Sequence, residues 1–168
     1  MKIYIGFLRT DSWISKLILK FTGGKWSHAF LCYYSAEFET WLQLGSEING
    51  WVHEPVIGLA SPHLFYLLPT PFDLGLGLKK NVKWLGTGYD FGGLLGMAWV
   101  LIAWRWLKRQ IKNPLQSDAS WFCSEIVAQI MRDSGATLTL EPGSTDPNRL
   151  ELEVQALGGL TSADPWVS

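Results

Sequence analysis

Residues 26–34 read WSHAFLCYY, and residues 38–44, after a short SAE break, read FETWLQL. Both runs are rich in aromatic and apolar residues that suit a pleated, half-buried surface, and the break between them is made of small and charged residues. The spacing therefore predicts a β-hairpin. Along a strand alternate side chains share a face, so His28, Phe30 and Cys32 point the same way. A histidine is thereby fixed on a rigid element close to the N-terminus.

Working outward, residues 2–9 read as a first buried strand. Asp11 or Ser12 then caps a helix in which Trp13, Ile14, Leu17, Ile18 and Phe21 recur at helical spacing until Gly23-Gly24. Beyond the hairpin, residues 51–56 and 64–68 predict two further strands, and Pro55, Pro62, Pro69 and Pro71 exclude a long helix between them. Residues 74–85 return to a helical pattern, followed by the GYDFGG turn and an apolar helix over about 91–111. The loop NPLQSDAS leads to a helix over 121–133, capped by Asp118 or Ser120 in front and Gly135 behind. Asp146-Pro147 opens the last helix, which runs through Leu150, Val154 and Leu157. There is no internal repeat. The expectation is one α+β domain over residues 1–160, a small antiparallel sheet packed against helices, with a loose tail over 161–168.

The bulk composition limits what such a domain can do. Among 168 residues, 14 basic side chains face 15 acidic ones, for a formal net charge of -1. No broad field draws in nucleic acid or an anionic membrane, so recognition must be local. The chain is 48% apolar with ten tryptophans, which calls for a large aromatic core or for exposed stacking surfaces. Two cysteines are too few for a disulfide framework and leave at most one bridge. With no apolar leader in MKIYIGFLRTDSW, the expected setting is the reducing cytoplasm. The longest apolar stretch, FGGLLGMAWVLIAW over 91–104, is shorter than the ~20 residues of a membrane span. It reads as a core helix in preference to one that touches a membrane surface.

Two residues stand out chemically. Cys123 falls near the start of a predicted helix, where free backbone N–H groups and the helix dipole favour a thiolate, although free cysteine is also among the most buried residue types. His28 can take a thiol proton near neutral pH. His53 and His63 lie in the proline-rich middle and read as surface or structural. Cys32 shares the His28 face four residues along, too far for direct attack at ~3.3 Å per residue, and reads as core. A zinc site from His28, Cys32 and Cys123 lacks paired ligand spacing, so no metal or cofactor is expected.

WSHAFL, then GYDFGGLLG, then FCSEIVAQIM, with TDPNRL as a weaker match, resemble the permuted branch of the NlpC/P60 superfamily: the YiiX/YaeF-like hydrolases and their lecithin:retinol acyltransferase-like relatives. The resemblance covers scattered motifs from Trp26 to about Val127. It implies a circularly permuted papain-like fold, with Cys123 as nucleophile and His28 as base, and it accounts for a histidine that precedes the cysteine. Nucleophile and base are recognised by geometry and not by order in the chain. It further implies that Tyr89 and Asp90 line or brace the site, and Trp26, Ser27, Ser46 and Ser124 are expected beside them as substrate-binding or bracing residues. A third polar residue orients the imidazole in such enzymes, and Glu39, Gln43, Ser46 and Glu47 are the candidates. A turn centred on Ala36 and Glu37 sets His28 opposite Gly45 and puts Gln43 and Glu47 within reach on its face. Gln43 is then the first choice, and Ser46 suits a register shifted by one. Glu125, two residues past Cys123 on a helix, points away from it and reads as structural.

The expected activity is a cysteine hydrolase cleaving an amide or isopeptide bond, such as a peptidoglycan stem-peptide link, through a thiolate–imidazolium pair. Two alternatives stay open. One is a lipid ester or thioester acyl hydrolase or acyltransferase using the same pair. The other is a catalytically silent binding or phage-structural module of the same fold.

Overall fold

Ser12 and Gly23 delimit the first helix because each does at its position what few other residues do. In this computed structural model, which describes residues 1–47, 50–56, 62–84, 123–141, 145–162 and 165, the Ser12 hydroxyl accepts the Ser15 N–H at 3.1 Å and opens α1 (Trp13–Thr22). Gly23 closes it with φ 65°, a left-handed turn that costs glycine little. α1 follows the strand β1 (Ile3–Leu8) and leads into β2 (His28–Ser35).

β1 pairs antiparallel with β2 on one side and with β5 (His63–Leu67) on the other. β3 (Thr40–Glu47) and β4 (Gly50–Pro55) extend the sheet past β2. A short β6 (Leu160–Ser162) closes the opposite edge against β5, giving the order β4-β3-β2-β1-β5-β6. β6 takes up the first two residues of the expected loose tail, 161 and 162. Three residues after Gly158-Gly159 carry little strand pattern, yet they pair with the free backbone groups of β5. The helix expected over 74–85 is α2 (Leu74–Asn81) followed by a 3-10 turn (Val82–Trp84).

The helices carrying the remaining core are α3 (Cys123–Asp133) and α4 (Pro147–Ala156). α3 packs on β2, β3 and α2. Asp146 caps α4, its carboxylate taking the Asn148 N–H at 2.9 Å, and Pro147 fills the first helical position. Ile3, Ile5, Phe7, Ala29, Leu31, Leu44 and Tyr66 line one face of the sheet and pack with Ile126, Val127, Ile130, Met131, Leu150 and Val154. Each such buried aliphatic or aromatic side chain contributes about 1.5–3 kcal/mol. Leu8, Phe30, Cys32 and Phe65 form a smaller cluster on the other face, flanked by Tyr4 and Val56. The arrangement is a mixed α+β one with an antiparallel sheet. Among the described residues no helix is long and apolar enough to cross a membrane; residues 91–104 lie outside them.

Candidate active site

The hairpin that carries His28 is two residues out of the expected register. Ser35 pairs with Thr40, so the loop holds four residues, Ala36 to Glu39, with Glu39 left-handed at φ 49° and Phe38 N–H donating to the Ser35 hydroxyl at 3.3 Å. Leu31 faces Leu44 and Cys32 faces Gln43. Because the slip is even, every residue keeps its face; only the offsets along the strands change. Beyond Leu31 and Leu44, Gly45 lies beside Phe30, whose Cβ is 3.3 Å from where a Cβ on the glycine would stand.

This corrects the choice of Gln43. It lies on the His28 face but opposite Cys32, roughly 13 Å along the strand from His28 at ~3.3 Å per residue, and its Nε2 donates to Glu54 Oε1 at 2.7 Å. Glu39 is exposed in the loop. Ser46 and Glu47 belong to the β3–β4 ladder, paired with Trp51 and Gly50.

His28 opens β2 opposite Leu8, whose carbonyl also accepts the Ser27 N–H at 3.1 Å. Ser27, just before the strand, is thereby tied to the end of β1 at the rim of the sheet. Trp26 on one side of it belongs to the helix-facing core, packed 6.3 Å from Phe7 between ring centroids. The half-buried His28 ring lies on the other face, stacked on Phe30 at 5.9 Å and 17° between planes. Its Nε2 is 3.4 Å from where a Cβ would stand on Gly45.

Cys123 is buried at 4% exposure and is the first described residue of α3. It shares a helical face with Ile126, Val127 and Ile130, which enter the core against the sheet. Cys123 and the His28 ring thus approach the sheet from opposite faces. His28 nevertheless stands at the very end of its strand, so the route between the two passes round the start of β2.

The bracing residues are placed more tightly. Ser27, buried at 4%, has its hydroxyl 2.5 Å from that of Ser15 and accepts the Thr10 N–H at 3.2 Å, tying β2 to β1 and α1. Ser124 donates to the Thr145 carbonyl at 2.5 Å. Both side chains are thereby committed to structure. Trp26 is half of a cation–π contact, with Lys25 Nζ 4.7 Å above its ring. Its indole Nε1 is buried with no hydrogen-bond partner among the described residues, an arrangement that costs about 1–3 kcal/mol. Glu125 is fully buried in the first turn of α3, where the helix dipole favours a carboxylate. Tyr89 and Asp90 lie outside the described residues, as do Asp118 and Ser120.

The other thiol and histidines fall where packing puts them. Cys32 is fully buried, and burial pushes its thiol well above the usual range. A thiol held protonated this way is inert. His53, exposed on β4, shares a 2.7 Å hydrogen bond between its Nε2 and the Tyr33 hydroxyl. His63 leans on Phe65 at 5.6 Å. Among the described residues no cluster of three or more histidine, cysteine or acidic side chains could hold a metal ion.

The residue that sequence reading passed over is Asn148. Its Oδ1 accepts the N–H groups of both Lys25 and Trp26 at 2.8 Å, and its Nδ2 donates to the Trp26 carbonyl at 2.9 Å. An asparagine at the second position of a capped helix carries no local signal of such a partner, because the partner lies more than a hundred residues upstream. No protein-family model matches the chain, and no curated protein is significantly similar to it.

Proposed function

We propose that the protein is a cysteine hydrolase of the permuted papain-like kind, with Cys123 as nucleophile and His28 as base. The observation that carries this reading is the packing of α3, with Cys123 at its described start, against β2, the strand that His28 opens. Only one other thiol competes, and burial disables Cys32.

In the reaction the Cys123 thiol passes its proton to the imidazole, and the thiolate attacks the acyl carbon. The backbone N–H groups at the start of α3 stabilise the oxyanion that forms. Collapse breaks the carbonyl–nitrogen bond, and the imidazolium protonates the departing amine. Water then cleaves the thioester, with His28 again as base, and releases the acid. An amide or isopeptide link, as in peptidoglycan stem peptides, is the leading substrate class, and a lipid ester or thioester follows the same steps. The imidazole must reach round the start of β2 for the first proton transfer.

Alkylation by iodoacetamide tests the pair without a known substrate. Cys123 should react faster than Cys32 near neutral pH, and His28→Ala should slow Cys123 by on the order of tenfold or more. A second reading is favoured by the opposite faces on which His28 and Cys123 lie: a binding module that keeps the fold without the chemistry. Equal, slow reaction of both thiols, unaltered by His28→Ala, would select that second reading.

A further inference from the structure

The start of α4 and the two residues before it touch both halves of the proposed site. On one side Asn148 holds Lys25 and Trp26 by three hydrogen bonds of 2.8–2.9 Å, and its Nδ2 also lies 3.3 Å from the Thr22 hydroxyl at the end of α1. An amide that accepts from and donates to the same residue, Trp26, substitutes for a neighbouring strand just before β2 begins. On the other side the Thr145 carbonyl accepts the Ser124 hydroxyl at 2.5 Å, next to Cys123. Thr145 and Asp146 are themselves buried, and Asp146 caps the turn between these two ties.

Gly24 makes the fit exacting. A Cβ there would stand 2.0 Å from Asn148 Cγ, so the amide lies directly on the glycine backbone. Lys25 adds an ion pair to Glu151 at 3.3 Å, one turn further along α4. A lysine largely exposed to solvent contributes little there, which leaves the Asn148 amide as the principal tie.

We infer that Asn148 is a positioning residue for the Cys123–His28 chemistry: its amide sets the backbone two residues before His28, and Thr145, just ahead of the same helix, anchors the start of the Cys123 helix. The inference rests on the cysteine hydrolase reading. A reaction between groups on separate elements is sensitive to displacements of about 1 Å, which can cost on the order of a hundredfold, and the short stretch from Thr145 to Asn148 is bonded to both. Loss of the amide frees the start of β2, the backbone from which His28 projects.

The test measures iodoacetamide reaction at Cys123 and the NMR signals of the His28 ring in the full chain, for the wild type and for Asn148→Ala, Asn148→Asp and Gly24→Ala. Asn148→Ala should slow Cys123 by on the order of tenfold or more and shift the His28 ring signals, while near-UV circular dichroism stays native. Asn148→Asp keeps the acceptor for two N–H groups and loses the donor to Trp26, so it should recover part of the rate. Gly24→Ala should mimic Asn148→Ala by displacing the amide, and adding it to Asn148→Ala should cost little more. If Asn148→Ala does not fold, Asn148→Asp and Gly24→Ala are judged by the same two measurements. Variants that melt earlier yet keep the wild-type Cys123 rate and His28 signals would overturn the inference and leave Asn148 a purely structural tie. The parent reading is scored separately, with Asn148 intact: if His28→Ala leaves the wild-type Cys123 rate unchanged, the pair itself fails and the positioning role falls with it.

Discussion

The His28 ring packs over Gly45: Nε2 lies 3.4 Å and Cε1 3.7 Å from where a Cβ on that residue would stand, ordinary van der Waals contact, with Phe30 Cβ tighter at 3.3 Å. Glycine beside Phe30 therefore leaves the groove in which the imidazole rests. Gly45→Ala should fold, because contacts of this length need only a few tenths of an ångström of give, and should shift the His28 ring signals in NMR. Gly45→Val adds two methyl groups to the same space, so it should evict the ring and destabilise the sheet by about 1–3 kcal/mol. Unchanged His28 signals in Gly45→Val would mean that the ring rests elsewhere.

Gly6 supports the same aromatic row from the neighbouring strand. A Cβ there would meet the Phe30 ring at 2.4 Å, so the outer end of the phenyl ring sits over the Gly6 backbone. Phe30 in turn packs edge-on to Phe65 at 5.9 Å, which limits its retreat. Gly6→Ala should cost about 1–3 kcal/mol by overpacking, read as a lower urea midpoint. Phe30→Leu, destabilising by itself, should recover part of that loss when combined with Gly6→Ala. Full additivity of the two changes would exclude the contact.

Much of the fold was legible because its signals are local. Ser12, Gly23, Asp146 and Pro147 each act within one turn of where they stand, and each marks a helix end in the structure. The hairpin was legible in its parity and not in its offset. Alternation of apolar residues fixes which face His28, Phe30 and Cys32 share, whereas the offset depends on whether the loop holds two residues or four, and SAEFE suits either. That difference moved Gln43 away from His28 and onto Glu54. β6 and Asn148 were hidden for another reason, since both act through partners that are distant in the chain and that topology alone brings close.

Glu39 and Gln43 now make a joint prediction. Glu39 adopts φ 49°, a left-handed conformation that costs a residue with a Cβ roughly 1 kcal/mol, so Glu39→Gly should stabilise the hairpin by up to about that amount. Gln43→Ala breaks an exposed hydrogen bond to Glu54 and should change stability by about 0.5 kcal/mol or less. Neither change should move the His28 ring titration or slow Cys123 alkylation. A clear shift in the titration caused by Gln43→Ala would restore Gln43 as the orienting residue.

Asp133, at the far end of the Cys123 helix, gives that helix a pH dependence. Partial burial by itself would raise its carboxyl pKa. The hydrogen bonds from Gln129 Nε2 at 3.0 Å and Asn81 Nδ2 at 2.7 Å, with the charges of Lys80 and Lys83, outweigh that and hold it below the usual carboxylate range. In the unfolded chain the group titrates near ~3.9. The folded protein therefore gains from the charged carboxylate above that value, and loses the gain as pH falls through the depressed folded pKa. Lys80 also donates to the Asp133 carbonyl at 3.1 Å, so α2 and α3 are joined there by side chain and backbone alike. Asp133→Asn removes the charge and should lower the urea midpoint near pH 7, with the deficit shrinking as the buffer approaches about pH 2. A deficit that stays constant across that range would assign the loss to packing, and the charge on Asp133 would then contribute nothing to holding α3 against α2.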